Sequence, residues 1–400
     1  MFRRRPWLLL FLVICSPSLY AEQRKYVIGT TVDLTGGATN LLGSTGIRSN
    51  QNQPLFPFYG AFPSITMTST GAHSLLSASY SYGFNRSKSE QNLKLDSHAA
   101  SLNFTTPLTQ ELGISFSESF QATSDAATFN ALRGVTANPI SPFIFYPVAA
   151  QLMSRTNTSN VTVNYKLSDR SGLGFTVSHS LLRYDAGATA FSSLSNQQNI
   201  SGGVTYNWQT DRRETWTLGY KSGSLSFKSF DSSYSDTAYV GYSNVIGSAI
   251  KFNLTAGLTR IKNQRTGDGY IGYNSSALLE KTLKTNAFSL FYTQTSGQTS
   301  GLGSLSDTRV AGLSWNHVTR TLTEFVDISV FDTQGILANP YSQRGISAAA
   351  SIGIPLSRKW SLQGGAHYQK YDDASAFGFR QKRLFIALRY TDPALLGFLR

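Results

Sequence analysis

Apolar and small polar residues alternate along most of the chain from about residue 73 onward. Between Leu76 and Phe84 every second residue is aliphatic or aromatic, and the residues between them are serine or glycine. Successive side chains of a β-strand point to opposite faces, so this period of two predicts strands with one apolar and one polar face. The same alternation returns in Val161–Leu167, Val204–Trp208, Ile250–Leu258, Ile346–Ile354 and Leu384–Tyr390.

Short polar turns give an independent count of the strands. Longer stretches rich in Ser, Asn, Gly and Asp separate these turns, as in outer-membrane barrels with short periplasmic turns and longer external loops. Seven such turns join fourteen strands, and one further strand at each end (73–84 and 380–391) predicts sixteen, with both termini in the periplasm. Because 263–281 alternates poorly, a count of fourteen stays open. The turns are Pro107–Gln110, Ser168–Ser171, Thr210–Arg213, Val245–Gly247, Thr282–Thr285, Val318–Arg320 and Leu356–Lys359.

The predicted fold class is therefore all-β, a transmembrane antiparallel β-barrel of about 16 strands over residues 73–400. Residues 22–72 are expected to lie outside the barrel, because Gly36-Gly37, Pro54, Pro57 and Pro63 interrupt any alternation. This segment is expected to be a periplasmic tail, a structured extension or a hatch folded into the lumen.

The N-terminus indicates export. Arg3, Arg4 and Arg5 precede a short apolar run from Trp7 to Ile14, and small residues follow up to Ala21. This is the pattern of a secretory signal peptide, so residues 1–21 are expected to be removed. The only cysteine lies within them, and the mature chain is then expected to have no disulfide and no cysteine metal site. The expected location is the outer membrane of a Gram-negative-type bacterium.

Composition excludes two other classes. Only 14% of the residues are charged, against about 25% in typical soluble domains, and no segment after the signal peptide is long and apolar enough for a helical membrane span. Removal of Arg3, Arg4 and Arg5 lowers the formal charge from +13 to +10. The remaining basic residues are scattered over turns and strands instead of forming one stripe, which argues against nucleic-acid binding.

Charged residues on the polar strand face are the candidate lumen residues. Positive charges in a narrow channel raise the local anion concentration, so their excess predicts a weak anion preference. The alternative is that Lys166, Lys251 and Arg389 lie at the periplasmic rim and only remain hydrated. The predicted lumen charges are Lys166, Lys221, Lys251, Arg383 and Arg389 against Glu280 and Asp327.

The longest predicted external loop, from about Asp125 to Thr158, contains an apolar stretch around Phe143, Phe145 and Tyr146. In porins an inward-folded loop forms the constriction, and Arg133 and Arg155 flank the stretch as candidates for an anion-sensing ring. Packing over neighbouring loops and contact with a partner are the alternatives.

Glu118 and His179 interrupt the apolar face of two strands at about the same distance from a turn. A charged side chain facing lipid is costly, so these two residues predict an oligomer surface. The alternative is that the strands have already reached the membrane interface at this height.

Catalytic and metal-binding patterns find little support. The five histidines lack the spacing that places two ligands on one face. His179 is followed directly by Ser180, which points the opposite way, so the two do not form a nucleophile–base pair. The sequence therefore predicts no enzyme and implies no cofactor and no metal.

Taken together, the signal peptide, alternating strands, aromatic strand ends and short turns resemble bacterial porin-type outer-membrane barrels. The resemblance implies a diffusion channel for small polar solutes. A non-channel or plugged barrel, acting as an export component, lipid-uptake barrel, receptor or scaffold, is the alternative. The partners it implies are outer-membrane lipid and lipopolysaccharide, the barrel insertion machinery and a second copy of the chain in a homo-oligomer.

Overall fold

The computed structural model describes residues 25–40, 55–87, 94–123, 154–184, 196–227, 231–299, 305–336, 342–373 and 379–399. Eighteen strands account for nearly all of these residues. No helix among them is long and apolar enough to cross a membrane. The strands are β1 (Lys25–Thr39), β2 (Phe56–Thr70), β3 (Leu75–Ser87), β4 (Lys94–Pro107), β5 (Leu112–Thr123), β6 (Ser154–Ser168), β7 (Ser171–Tyr184), β8 (Gln197–Gln209), β9 (Glu214–Phe227), β10 (Ser233–Ile246), β11 (Ile250–Asn263), β12 (Gly269–Thr282), β13 (Asn286–Thr299), β14 (Leu305–Val318), β15 (Thr323–Gly335), β16 (Ser342–Pro355), β17 (Trp360–Asp373) and β18 (Phe379–Leu399).

The strands form one closed antiparallel barrel. Each strand pairs with the next along the chain, and β1 also pairs with β18, from Lys25 opposite Leu399 to Thr39 opposite Arg383. Closure leaves no strand edge exposed, which is the condition for a sheet to span a bilayer. The all-β transmembrane barrel predicted from the alternation is therefore confirmed.

The connections alternate in length, and all seven predicted turns lie at the short ones. An eighth short connection, residues 71–74, joins β2 to β3. The first residue of β1 and the last residue of β18 lie at the same end as these turns. Because short turns mark the periplasmic end of such barrels, the other end is extracellular. The weakly alternating stretch after residue 268 is a complete strand, β12.

The predicted strand count of sixteen is wrong, and so is the placement of residues 22–72 outside the barrel. Residues 25–39 and 56–70 are the wall strands β1 and β2. Gly37 is needed because a Cβ there would collide with the backbone of Leu384 across the β1–β18 seam. The ladder between β2 and β3 skips Phe62 and Pro63, so the missing N–H of Pro63 falls at a break in the pairing.

The last strand also runs further than the alternation predicts. It was expected to end near residue 391, but β18 has 21 residues and continues to Leu399. The extension pairs with β1, a strand that the alternation does not predict.

The outer face is apolar and carries aromatic residues near the periplasmic turns. The side chains of Ile271 and Ile386 are 69% and 63% exposed. This exposure is expected of side chains that face lipid in the membrane. Trp208 lies opposite Trp216, and the rings of Trp360 and Tyr390 are 5.0 Å apart. These rings form an aromatic girdle at the membrane interface. The barrel therefore has the architecture of an outer-membrane protein.

Candidate functional site: the barrel lumen

The inner face is defined by the register, because residues directly opposite each other on neighbouring strands share a face. Lys221, for example, lies opposite Gly203 and Thr237, whereas its neighbour Tyr220 is 48% exposed on the outer face. The register places all seven predicted lumen charges on the inner face, and these are Lys166, Lys221, Lys251, Glu280, Asp327, Arg383 and Arg389.

Lys221 stands on a wall of small residues. It lies seven residues beyond Glu214, the first residue of β9, and so near the middle of the strand. Its opposite residue on β8 is Gly203, and the inner-face positions on either side of it on β9 are Gly219 and Gly223. The ring of Tyr239 packs over Gly219, and Lys221 itself remains exposed on the inner face.

Arg389 is paired with a carboxylate of β1, a strand that lies outside the barrel predicted from the alternation. Its Nε and Nη2 donate to the two oxygens of Asp33 at 2.6 and 3.1 Å. Asp33 lies directly opposite on β1, and its side chain is only 8% exposed. The charge of Arg389 is therefore offset locally. Asp33 was missed because the glycines and prolines around it argue against a strand.

The lumen charges near the periplasmic end also have acidic neighbours. Lys166 donates to Asp169 at 2.6 Å, and this hydrogen bond holds the pKa of the Asp169 carboxyl below its usual value. Lys251 lies directly opposite Glu280 on the β11–β12 ladder. These charges therefore contribute less net field to the lumen than an isolated lysine would.

Arg383 is buried in an inward-facing apolar cluster. Its guanidinium lies 4.2 Å from the centre of the Phe58 ring, and the residue is 2% exposed. The cluster contains Phe58, Phe62 and Phe385 with Ala99 of β4 and Ala387 of β18. A cation stacked on an aromatic face in this way interacts with the ring more than with water.

A second inward-facing cluster lies on the opposite side of the barrel, near the extracellular end of β11. Ile261 is fully buried and packs with Leu305 and Ile336, and Phe227 and Tyr270 contact this group. The two clusters narrow the extracellular half of the lumen from two sides. The strand alternation did not predict them, because most inner-face positions of the described strands are Ser, Thr, Asn or Gly.

The inner-face aromatic rings lie on glycines of neighbouring strands. A Cβ at Gly83 would lie 2.5 Å from the Phe62 ring, and one at Gly312 would lie 2.5 Å from the Phe291 ring. Phe331 covers Gly345 in the same way. The rings therefore lie along the wall, which keeps part of the lumen cross-section free. In the sequence, this packing is indicated by a glycine at an inner-face position of one strand and an aromatic residue at an inner-face position of the neighbouring strand.

The predicted constriction residues fall into two groups. Arg133, Phe143, Phe145 and Tyr146 lie outside the described residues. Arg155 is the second residue of β6 and lies on the outer face, directly opposite Arg183 of β7. Arg155 is therefore not part of an anion-sensing ring in the lumen, because it shares the outer face of β6 with Val161 and Tyr165.

Glu118 and His179 lie on the outer face at matching positions, because both are paired with Ser159 of β6. Asn157 donates to Glu118 at 3.1 Å, and His179 and Gln198 are 3.1 Å apart. A polar stripe thus crosses β5 to β8 within the apolar surface. Its role as an oligomer contact stays a prediction.

Metal-binding chemistry has no cluster to support it in the part of the chain that the structure describes. No group of three or more His, Cys, Asp or Glu residues there is arranged to hold a metal ion. His179 and Ser180 lie on opposite faces of β7, as adjacent strand residues do.

Comparison with solved structures finds other outer-membrane barrels. OccAB4 of Acinetobacter baumannii has a TM-score of 0.48 at 11% identity, covering 94% of this chain and 98% of that one. OpdK of Pseudomonas aeruginosa has a TM-score of 0.46 at 10% identity, covering 91% and 99%. The iron transporter FrpB of Neisseria meningitidis (F5-1 variant) has a TM-score of 0.47 at 11% identity, covering 90% and 66%. The likeness concerns the barrel architecture.

No protein-family model matches the chain, and no curated protein matches it.

Proposed function

We propose that this barrel is a diffusion channel for small polar solutes with a weak preference for anions. The width of the barrel supports a channel. Its eighteen strands, spaced about 4.8 Å apart and tilted by about 40°, close at a backbone radius of about 18 Å. Barrels of 16 to 18 strands leave an aqueous path, whereas 22-stranded barrels hold a separate plug.

The polar inner face is the observation that carries this proposal. Ser, Thr, Asn and Gly occupy most inner positions of the described strands, and solutes crossing such a wall keep hydrogen-bonding partners. The N-terminal segment does not supply a hatch between residues 25 and 39 or between 56 and 70, because these residues are wall strands.

The anion preference is proposed from the balance of inner-face charges. Asp33 offsets Arg389, Asp169 offsets Lys166, and Glu280 lies opposite Lys251. Of the other predicted lumen charges, Lys221 and Asp327 lie on the inner face away from these pairs. Because Arg383 is buried beside Phe58, Lys221 is the group that acts on a passing ion.

A barrel that conducts poorly is the second candidate, and one observation favours it. The inward-facing clusters around Phe58 and Ile261 narrow the extracellular half of the lumen. If they close it, the protein acts as an export component, receptor, lipid-uptake barrel or scaffold.

Single-channel recording of the purified protein in planar bilayers separates the two candidates. An open lumen gives discrete conductance steps that grow with salt concentration, and a salt gradient gives a reversal potential displaced toward anions. Refolded protein with heat-modifiable migration but without conductance steps would exclude the channel and favour the second candidate.

A further inference from the structure

Basic side chains gather on the outer face of the barrel at its extracellular end. Among the described strand residues with described side chains, the outward-facing basic residues at this end outnumber the acidic ones by two to one. The basic residues are Arg86, Arg155, Arg183, Arg260, Lys262, Arg309, Arg344, Lys370, Arg380 and Lys382, and the acidic residues are Asp96, Asp236, Asp307, Asp332 and Asp372.

The periplasmic end of the same outer face shows the opposite balance. Its outward-facing charged strand residues within the described ranges are Lys281, Glu214, Glu324 and Asp392. The excess of basic over acidic residues on the outer face is therefore confined to the extracellular end, which contacts the outer leaflet of the membrane.

Across β14 to β17 the basic residues at the extracellular end are matched by acids. Arg309, Asp332, Arg344 and Asp372 lie directly opposite one another on successive strands, so the charge alternates along the row. Arg344 and Asp332 are 3.3 Å apart. The net charge of this row of four residues is therefore close to zero.

The pairing changes at β17 and β18. Lys370 lies directly opposite Arg380, and Lys382 follows two residues later on the same face. Asp372, 2.5 Å from Lys370, is the acidic side chain that contacts this group among the described residues. Like charges directly opposite each other repel, so these three residues, the β17–β18 basic group, form a site that an external anion would stabilise.

The surroundings of this group specify the kind of anion. Immediately below it on β18, Leu384 and Ile386 are 54% and 63% exposed and face the acyl chains. Tyr368 lies opposite Lys382 at the level where apolar and basic residues meet. A ligand that contacts all of these has phosphate groups at the membrane interface and acyl chains below them.

The geometry points to a binding site for lipopolysaccharide on the outer face of β17 and β18, in which Lys370, Arg380 and Lys382 contact the lipid A phosphates. A phospholipid present in both leaflets does not explain a basic excess confined to the extracellular end. The site is independent of the channel, because it lies on the outer face of the barrel wall.

The test compares two variants with the same loss of charge. One removes the site (Lys370→Gln, Arg380→Gln, Lys382→Gln), and the other removes three lysines at the periplasmic end (Lys166→Gln, Lys251→Gln, Lys281→Gln). The full chain in detergent is titrated with fluorescent lipopolysaccharide, and unlabelled dephosphorylated lipopolysaccharide, phosphatidylglycerol and inorganic phosphate serve as competitors. Heat-modifiable migration checks that each variant folds.

Loss of the site should weaken lipopolysaccharide binding on the order of a hundredfold, because each basic residue near an anionic surface contributes to the affinity. The periplasmic-end variant should bind as the unaltered protein does, and dephosphorylated lipopolysaccharide should compete poorly. Equal binding by both variants would overturn the proposal. Full competition by phosphatidylglycerol or by inorganic phosphate would also overturn it, in favour of a general anionic lipid surface or a free phosphate site.

Discussion

Arg389 and Asp33 join the last strand of the barrel to the first by two hydrogen bonds, at 2.6 and 3.1 Å. The two residues are 356 positions apart in the chain and directly opposite in the register. This ion pair can form only when the first and last strands of the barrel pair, so it stabilises the closed barrel and not an open sheet.

The pair should stabilise the closed barrel. Asp33→Asn leaves the guanidinium without its counter-charge, and we expect the free energy of unfolding to fall by about 2–3 kcal/mol. Urea unfolding in lipid vesicles, followed by tryptophan fluorescence, measures the change. Asp169→Asn is the control, since it removes the partner of a lysine in an exposed turn and should have no measurable effect.

A double-mutant cycle then isolates the contact. The combined change Asp33→Asn with Arg389→Gln should cost less than the sum of the single changes, because each single change already removes the ion pair between the two residues. If the effects of the two substitutions on the free energy of unfolding simply add, the two side chains do not stabilise the barrel through their contact.

The eighteen-strand topology can be tested by cysteine labelling. Leu55 lies just before β2, at the extracellular end, so Leu55→Cys in intact cells should react with a membrane-impermeant thiol reagent. Asp231→Cys and Asp372→Cys should also be labelled from outside. Asp169→Cys, Arg212→Cys and Arg358→Cys lie at the periplasmic end and should react only in permeabilised cells.

Leu55 is the position that distinguishes the two descriptions of the N-terminal region. If residues 22–72 formed a periplasmic segment, a label at Leu55 would require permeabilisation. External labelling of Arg212→Cys would show instead that the barrel is oriented the other way.

Much of this topology follows from the sequence, and the part that does not has a physical reason. The turns at 168–171 and 210–213 were predictable because polar residues interrupt a clear alternation on both sides. Residues 25–39 and 56–70 were not, because Gly37 and Pro63 are residues that weaken or exclude ordinary central strands. Here they serve a close approach to β18 and a break in the β2–β3 ladder, which only the closed register reveals.

The lumen charges are also predictable from the sequence only in part. Alternation is enough to place Lys221 on the inner face, because one residue of shift would turn it toward lipid. It does not reveal that Arg389 has a partner, since Asp33 is far away in the sequence. Nor does it predict that Phe58 covers Arg383, which depends on the packing of β18 beside β1 and β2.

The polar stripe around Glu118 and His179 predicts a contact with a second copy of the chain. Replacing both residues with Leu should convert the stripe to an apolar surface and weaken a polar contact there. Analytical ultracentrifugation in mild detergent measures the effect. If the native protein is an oligomer and the double variant keeps the same mass, this surface is not the interface.

Lys221 should set the ion selectivity of the open channel. It lies at mid-height on a wall of glycines, and no acidic side chain of the described residues is paired with it. Lys221→Glu reverses this charge and should move the reversal potential in a salt gradient toward cations. Lys166→Glu makes the same change of net charge in a residue near the periplasmic turn that already contacts Asp169, and its effect should be smaller because solvent screens the rim.

Both variants should keep the heat-modifiable migration of a folded barrel. Equal shifts for the two variants, or a cation preference in the unaltered channel, would show that Lys221 does not control selectivity.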